Sequence, residues 1–102
     1  MGLDIFLQDE NGNVLKNIGD PHNLLHQLLP SLEDTSYSLL RFVDWYGDTI
    51  FNRLQMETFL IEWERLIKKA GVGEEFELLA QIKNLARLCQ KTPHLYLKFY
   101  GD

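Results

Sequence analysis

Cysteine is almost absent from this chain: Cys89 is the only one among 102 residues. An intramolecular disulfide and a cluster of thiolate metal ligands are thereby excluded. Proline is also scarce, and no apolar run approaches the roughly 20 residues that a helix needs to cross a bilayer. The opening MGLDIF lacks the basic residues and small-residue cleavage site of a secretory leader, and Phe6 stands where an acylation signal carries Ser or Thr. The expected compartment is the cytoplasm. Positive charge is in deficit too. Ten basic residues against 15 acidic ones give a net charge of -5, which opposes approach to phosphate backbones and anionic lipid over a Debye length of about 8 Å. Neither nucleic acid nor a membrane is an expected partner. Two YGD triplets are too short to count as a repeat, and no Gly-rich phosphate loop or nucleophile elbow is present.

What is present is ordinary globular composition, 45% apolar and 25% charged, in a length that suits a single domain over residues 1–102 with one core. Leu3, Ile5 and Leu7 alternate with Asp4, Phe6 and Gln8, the period of a half-buried strand. Asn11-Gly12-Asn13 supplies a tight turn, so Val14 to Asn17 should return antiparallel. Asp20 before Pro21 predicts a helix start, with Leu24, Leu25, Leu28 and Leu29 as its apolar face and Pro30 as its bound. Residues 31–36 read as a loop. Tyr37 to Val43 suits a strand better than a buried helical turn, and from Thr49 onward the pattern becomes helical. Met56, Phe59, Leu60, Trp63, Leu66, Ile67 and Ala70 form one stripe on a helix of about five turns. Gly71 suits the left-handed position that ends it. Leu78, Leu79, Ile82, Leu85, Ala86 and Cys89 form a matching stripe, predicting an antiparallel helical hairpin across Gly-Val-Gly. After Pro93, Leu95, Leu97 and Phe99 alternate with Tyr96, Lys98 and Tyr100 as a last strand. The expected fold class is α+β: a small antiparallel or mixed sheet of three or four strands, the hairpin packed on it, and one short additional helix.

The blocks RFVDWYGDTIFNRLQ, FLIEWERL and YLKFYGD resemble a group of small uncharacterised bacterial proteins. Its members share an Arg-Phe-hydrophobic-Asp-x-Tyr-Gly-Asp-Thr-x-Phe-Asn block and a closing strand ending in Gly-Asp. Trp45 stands where that group has proline. The resemblance covers roughly half the chain and implies a free-standing bacterial domain, with no activity, cofactor or catalytic residue to carry over.

Three sets of residues are candidates for function. Asp44, Tyr46, Asp48, Thr49, Asn52 and Arg53 are a dense polar block. Either Asp48 or Thr49 caps the following helix, or the group converges on a small ligand with Arg53 as its anchor and Tyr46 as lid or stacking group. The second set is a sheet face. If Leu40, Phe42 and the inward residues of the terminal strands meet the helices, then Phe6, Leu39, Arg41, Val43, Tyr96, Lys98 and Tyr100 look the other way. A face that apolar is either covered by the Leu-rich first helix or is an interface for a partner or a second copy. The third set is His22 and His26, four apart as H-N-L-L-H. Two imidazoles at that spacing suit a shared metal, but Asn23 replaces the Glu of a metalloprotease pattern, so solvated histidines are the simpler reading. His94 could join them. Cys89 lies in the apolar stripe of its helix and reads as core rather than nucleophile. The expected function is non-catalytic protein binding, as a homodimer or as an inhibitor or immunity-type protein complementing a basic target. The alternative is a small-ligand-binding protein or enzyme built on the polar block.

Overall fold

In a computed structural model, which describes residues 2–101, the alternating N-terminal residues form β1 (Asp4–Asp9), with Ile5 and Leu7 buried. The turn after it is held by the Asp9 carboxylate, which accepts the backbone N–H groups of Asn11 and Asn13, both at 2.9 Å. Gly12 takes φ 84°, a left-handed angle that costs a glycine nothing. β2 (Val14–Gly19) returns antiparallel, its register slipping at Leu7/Gln8. The remaining strands are β3 (Asp48–Asn52) and β4 (Leu95–Tyr100), and the sheet order is β2-β1-β4-β3 with every pairing antiparallel. The chain is therefore α+β, as its patterning predicts.

The two long stripes form α2 (Met56–Ala70) and α3 (Glu74–Lys91), joined at Gly71 and Gly73, both with positive φ. Lys68 and Lys69 sit at the negative end of α2 and Glu74, Glu75 and Glu77 at the positive start of α3, so charge sharpens both boundaries. Phe59, Trp63, Leu66, Leu79, Ile82, Ala86 and Cys89 are buried against Ile5, Leu7, Leu97 and Phe99 of the sheet. Each large apolar side chain so buried contributes roughly 1.5–3 kcal/mol, which makes this layer contact the main source of stability. The Phe59 and Trp63 rings stack with centroids 5.1 Å apart, and the Trp63 indole N–H donates to the Leu79 carbonyl at 2.9 Å, tying α2 to α3.

Three segments depart from the pattern-based expectation. Residues 37–43 form no strand. The Glu62 carboxylate accepts the backbone N–H groups of Ser38, Leu39 and Leu40, so donors that a strand would offer a neighbour are consumed from α2, and a 3-10 turn (Leu40–Phe42) follows. Tyr37, Leu40 and Val43 then turn inward at three-residue spacing, while Phe42, expected inside, is exposed. The helix expected from Thr49 is instead β3, with Phe51 pointing into the core. Its three β-branched or aromatic residues, Thr49, Ile50 and Phe51, suit a half-buried strand. The helical run starts only after Asn52, with a 3-10 turn (Arg53–Gln55) leading into α2; the Asn52 side chain accepts the Gln55 N–H while the Gln55 side chain accepts the Asn52 N–H. The first helix, α1 (Leu25–Leu28), is a single turn, and Pro21 lies before it. Asn23 at φ 54° interrupts any helix begun at Pro21, and the Asp20 carboxylate accepts from Leu24 and Leu25 instead, both at 2.8 Å.

Candidate functional site

Pairing in the sheet sets which side chains share its outer surface. Phe6 lies opposite Lys98 and Lys98 opposite Ile50; Asp4, Tyr100 and Asp48 form the next row, and Gln8, Tyr96 and Asn52 the one on the other side. The side chains between them, Ile5, Leu7, Phe51, Leu97 and Phe99, point to the helices. Ile50 keeps 51% of its surface and Tyr100 41%, with Phe6 and Tyr96 half-buried. The first helix does not cover this face: Leu25, Leu28 and Leu29 belong to the inner core, and His22 reaches the Glu74 carboxylate at the start of α3, 2.6 Å away. An apolar patch thus spans β1, β4 and β3, with Phe6 and Tyr100 centroids 6.4 Å apart and the Lys98 ammonium 5.8 Å from the Tyr100 ring centre. That ammonium also meets the Asp48 carboxylate at 3.3 Å.

Of the expected interface residues, Phe6, Tyr96, Lys98 and Tyr100 share the outer face, and Leu39, Arg41 and Val43 do not. Those three lie in the 37–43 segment, where no strand exists to present them. Val43 is buried, Leu39 packs on the core, and Arg41 donates to the Leu32 carbonyl at 2.8 Å with its guanidinium 4.5 Å over Phe42. Ile50 is the face residue that sequence patterning missed, because its segment reads as a helix start. Asp4 was legible from the same alternation as Phe6.

The polar block divides. Asp44 accepts the Tyr46 N–H at 2.9 Å, and the Asp44 N–H donates to the Thr49 hydroxyl at 2.8 Å, so this part shapes the turn before β3. Tyr46 is 84% exposed and closes over nothing. Neither Asp48 nor Thr49 caps a helix; that task falls to Asn52. Asn52 and Arg53 line a groove of about 410 Å3 with Leu54, Pro93, His94, Leu95 and Tyr96.

The histidines lie apart in role. His22 pairs with Glu74, His26 meets the edge of the Trp45 ring with centroids 5.1 Å apart, and His94 faces Glu10 at 3.2 Å. Among the described residues no group of three or more His, Cys, Asp or Glu side chains is placed to hold a metal. Burial pushes the Cys89 thiol up to about 11, partly offset by the Arg53 guanidinium, which leaves it protonated and inert at neutral pH. Glu62 is the buried carboxylate that motif reading overlooked, although its place between Phe59, Trp63 and Leu66 on the apolar stripe marks it. Burial raises its pKa, but the N–H of Leu40 and the hydroxyl and N–H of Ser38 outweigh that and hold it below the usual glutamate value. Its four donors leave it no free valence for chemistry, so it anchors the 37–43 segment.

No described helix is long and apolar enough to cross a membrane. No protein-family model matches the chain, and no curated protein or solved structure matches it either.

Proposed function

We propose that the protein is a non-catalytic binding domain whose outer sheet face docks a second protein with a basic surface. The observation that carries this reading is the open patch of Phe6, Ile50, Tyr96 and Tyr100 on a sheet whose other face is filled by the helical hairpin. Aromatic side chains supply large contact area at small entropic cost and dominate interface centres. The net charge of -5 supports a basic partner, which it steers in at long range, over a second copy of this chain or nucleic acid. A bacterial, cytoplasmic setting belongs to the same proposal and agrees with a free buried thiol.

Affinity capture from native lysate, followed by rebinding of the purified captured protein, tests it. Tyr96→Ala and Tyr100→Glu should each abolish rebinding, and light scattering should report a monomer in the absence of partner. Equal rebinding by the variants, or a stable homodimer, contradicts the reading. A second reading, a small-ligand site, is supported by Arg53, which makes no hydrogen bond or ion pair among the described residues and borders the groove with Tyr96. It requires Arg53→Gln to remove ligand binding without changing partner binding.

A further inference from the structure

Antiparallel pairing places Asp4 and Asp48 directly opposite Tyr100, one on each neighbouring strand, so an exposed ring stands between two exposed carboxylates. Adjacent strands lie about 4.8 Å apart, so the two acidic residues flank the ring at one strand spacing on either side. Phe6 closes one flank, tilted 39° to Tyr100. Gly19, on the far side of Asp4, has no side chain, and an Asp4 carboxylate oxygen lies 3.4 Å from where its Cβ would stand. The chain's own Lys98 shows what the place attracts: its ammonium lies between the Asp48 carboxylate and the Tyr100 ring. Lys98 serves only one side, and Asp4 has no cation paired with it among the described residues.

Resting on the protein-binding reading above, we infer that the Asp4–Tyr100–Asp48 row clamps an arginine side chain of the partner. The guanidinium lies on the Tyr100 ring and donates from its two edges to Asp4 and Asp48. A planar, weakly hydrated guanidinium stacks on the ring and donates from opposite edges to two separated carboxylates, whereas a lysine ammonium is a compact point charge that meets the ring and one carboxylate, as Lys98 does, but does not span both. Lys98 swings from Asp48 to solvent as the arginine arrives, so the face keeps its charge balance without a buried unpaired cation.

Two probe peptides of equal length and charge, one arginine-rich and one lysine-rich, test the clamp by amide NMR titration of the whole chain. The arginine peptide should shift Asp4, Phe6, Asp48 and Tyr100 and bind about fivefold more tightly than the lysine peptide. The double variant Asp4→Asn/Asp48→Asn should weaken it about tenfold, while Glu75→Gln/Glu77→Gln at the start of α3 leaves it unchanged. Shifts centred on that helix start, equal binding of the two peptides, or an unaffected double variant overturns the clamp. Because all four substituted positions are outside the core, an unchanged thermal midpoint certifies that the variants fold. Rebinding of the natural partner separates the two readings. If Asp4→Asn/Asp48→Asn rebinds fully while Tyr100→Glu does not, the clamp falls and the docking face stands; if both rebind, the face falls as well.

Discussion

The Glu62 carboxylate accepts the backbone N–H of Leu40 at 3.0 Å across 22 residues of sequence, and this contact fixes where the 37–43 segment crosses the hairpin. Because the carboxylate is held below the ordinary value of 4.5, its folded pKa lies under its unfolded one. Its contribution to stability is therefore complete above that value and lost as pH falls through the folded pKa. Glu62→Gln should cost about 2 kcal/mol at neutral pH and flatten the acid limb of a stability–pH profile followed by circular dichroism. A profile that keeps the same acid limb without Glu62 contradicts the assignment.

The 3-10 turn (Arg53–Gln55) that leads into α2 is capped by Asn52 and Gln55, which exchange side-chain and backbone hydrogen bonds. Asn52→Ala should lower stability by about 1 kcal/mol in urea denaturation, as loss of an N-cap does. Asp48→Asn removes only an exposed ion pair with Lys98 and should change stability by less than about 0.5 kcal/mol. The reverse order would restore Asp48 as the cap.

Gly101 packs on the backbone before β3. A Cβ there would lie 2.2 Å from the Trp45 carbonyl oxygen, and its N–H donates to the Gly47 carbonyl at 2.8 Å. Gly101→Ala forces backbone apart and should cost about 2 kcal/mol or more. Gly12→Ala meets nothing within 4 Å and bears only the left-handed backbone penalty, about 1 kcal/mol. Thermal melting of the pair ranks the two effects.

Cys89 should be silent toward a thiol reagent in the folded protein at neutral pH and react once denatured, because burial both blocks access and raises its pKa to about 11. Native-state reactivity within minutes would mean that α3 and β4 part readily around it.

How far the sequence reveals this molecule depends on whether a segment's partners are near in the chain. β1, β4, α2 and α3 are legible because a period of two or of 3.6 directly reports a buried side. The segments that mislead, 37–43 and 48–52, take their form from contacts that periodicity does not carry. The first is captured by a glutamate two dozen residues away, and its inward residues, Tyr37, Leu40 and Val43, follow a 3-10 spacing rather than alternation. In the second, polar density around Asp48 imitates a helix start, while the Asn52-x-x-Gln55 box that marks the real one stands four residues later. Phe6, Tyr96, Lys98 and Tyr100 come from legible strands and are found on the outer face. Leu39, Arg41 and Val43 depend on a strand that does not form, and Ile50 on one that patterning does not show.

A photo-cross-linking amino acid placed at Ile50 and, separately, at Ile61 tests the docking face most directly, since both side chains are exposed, one on the outer sheet and one on α2. The Ile50 position should yield one discrete adduct with a basic protein, abolished by Tyr100→Glu, and the Ile61 position none. An adduct formed from Ile61 and not from Ile50 would place the partner on the helices and contradict it.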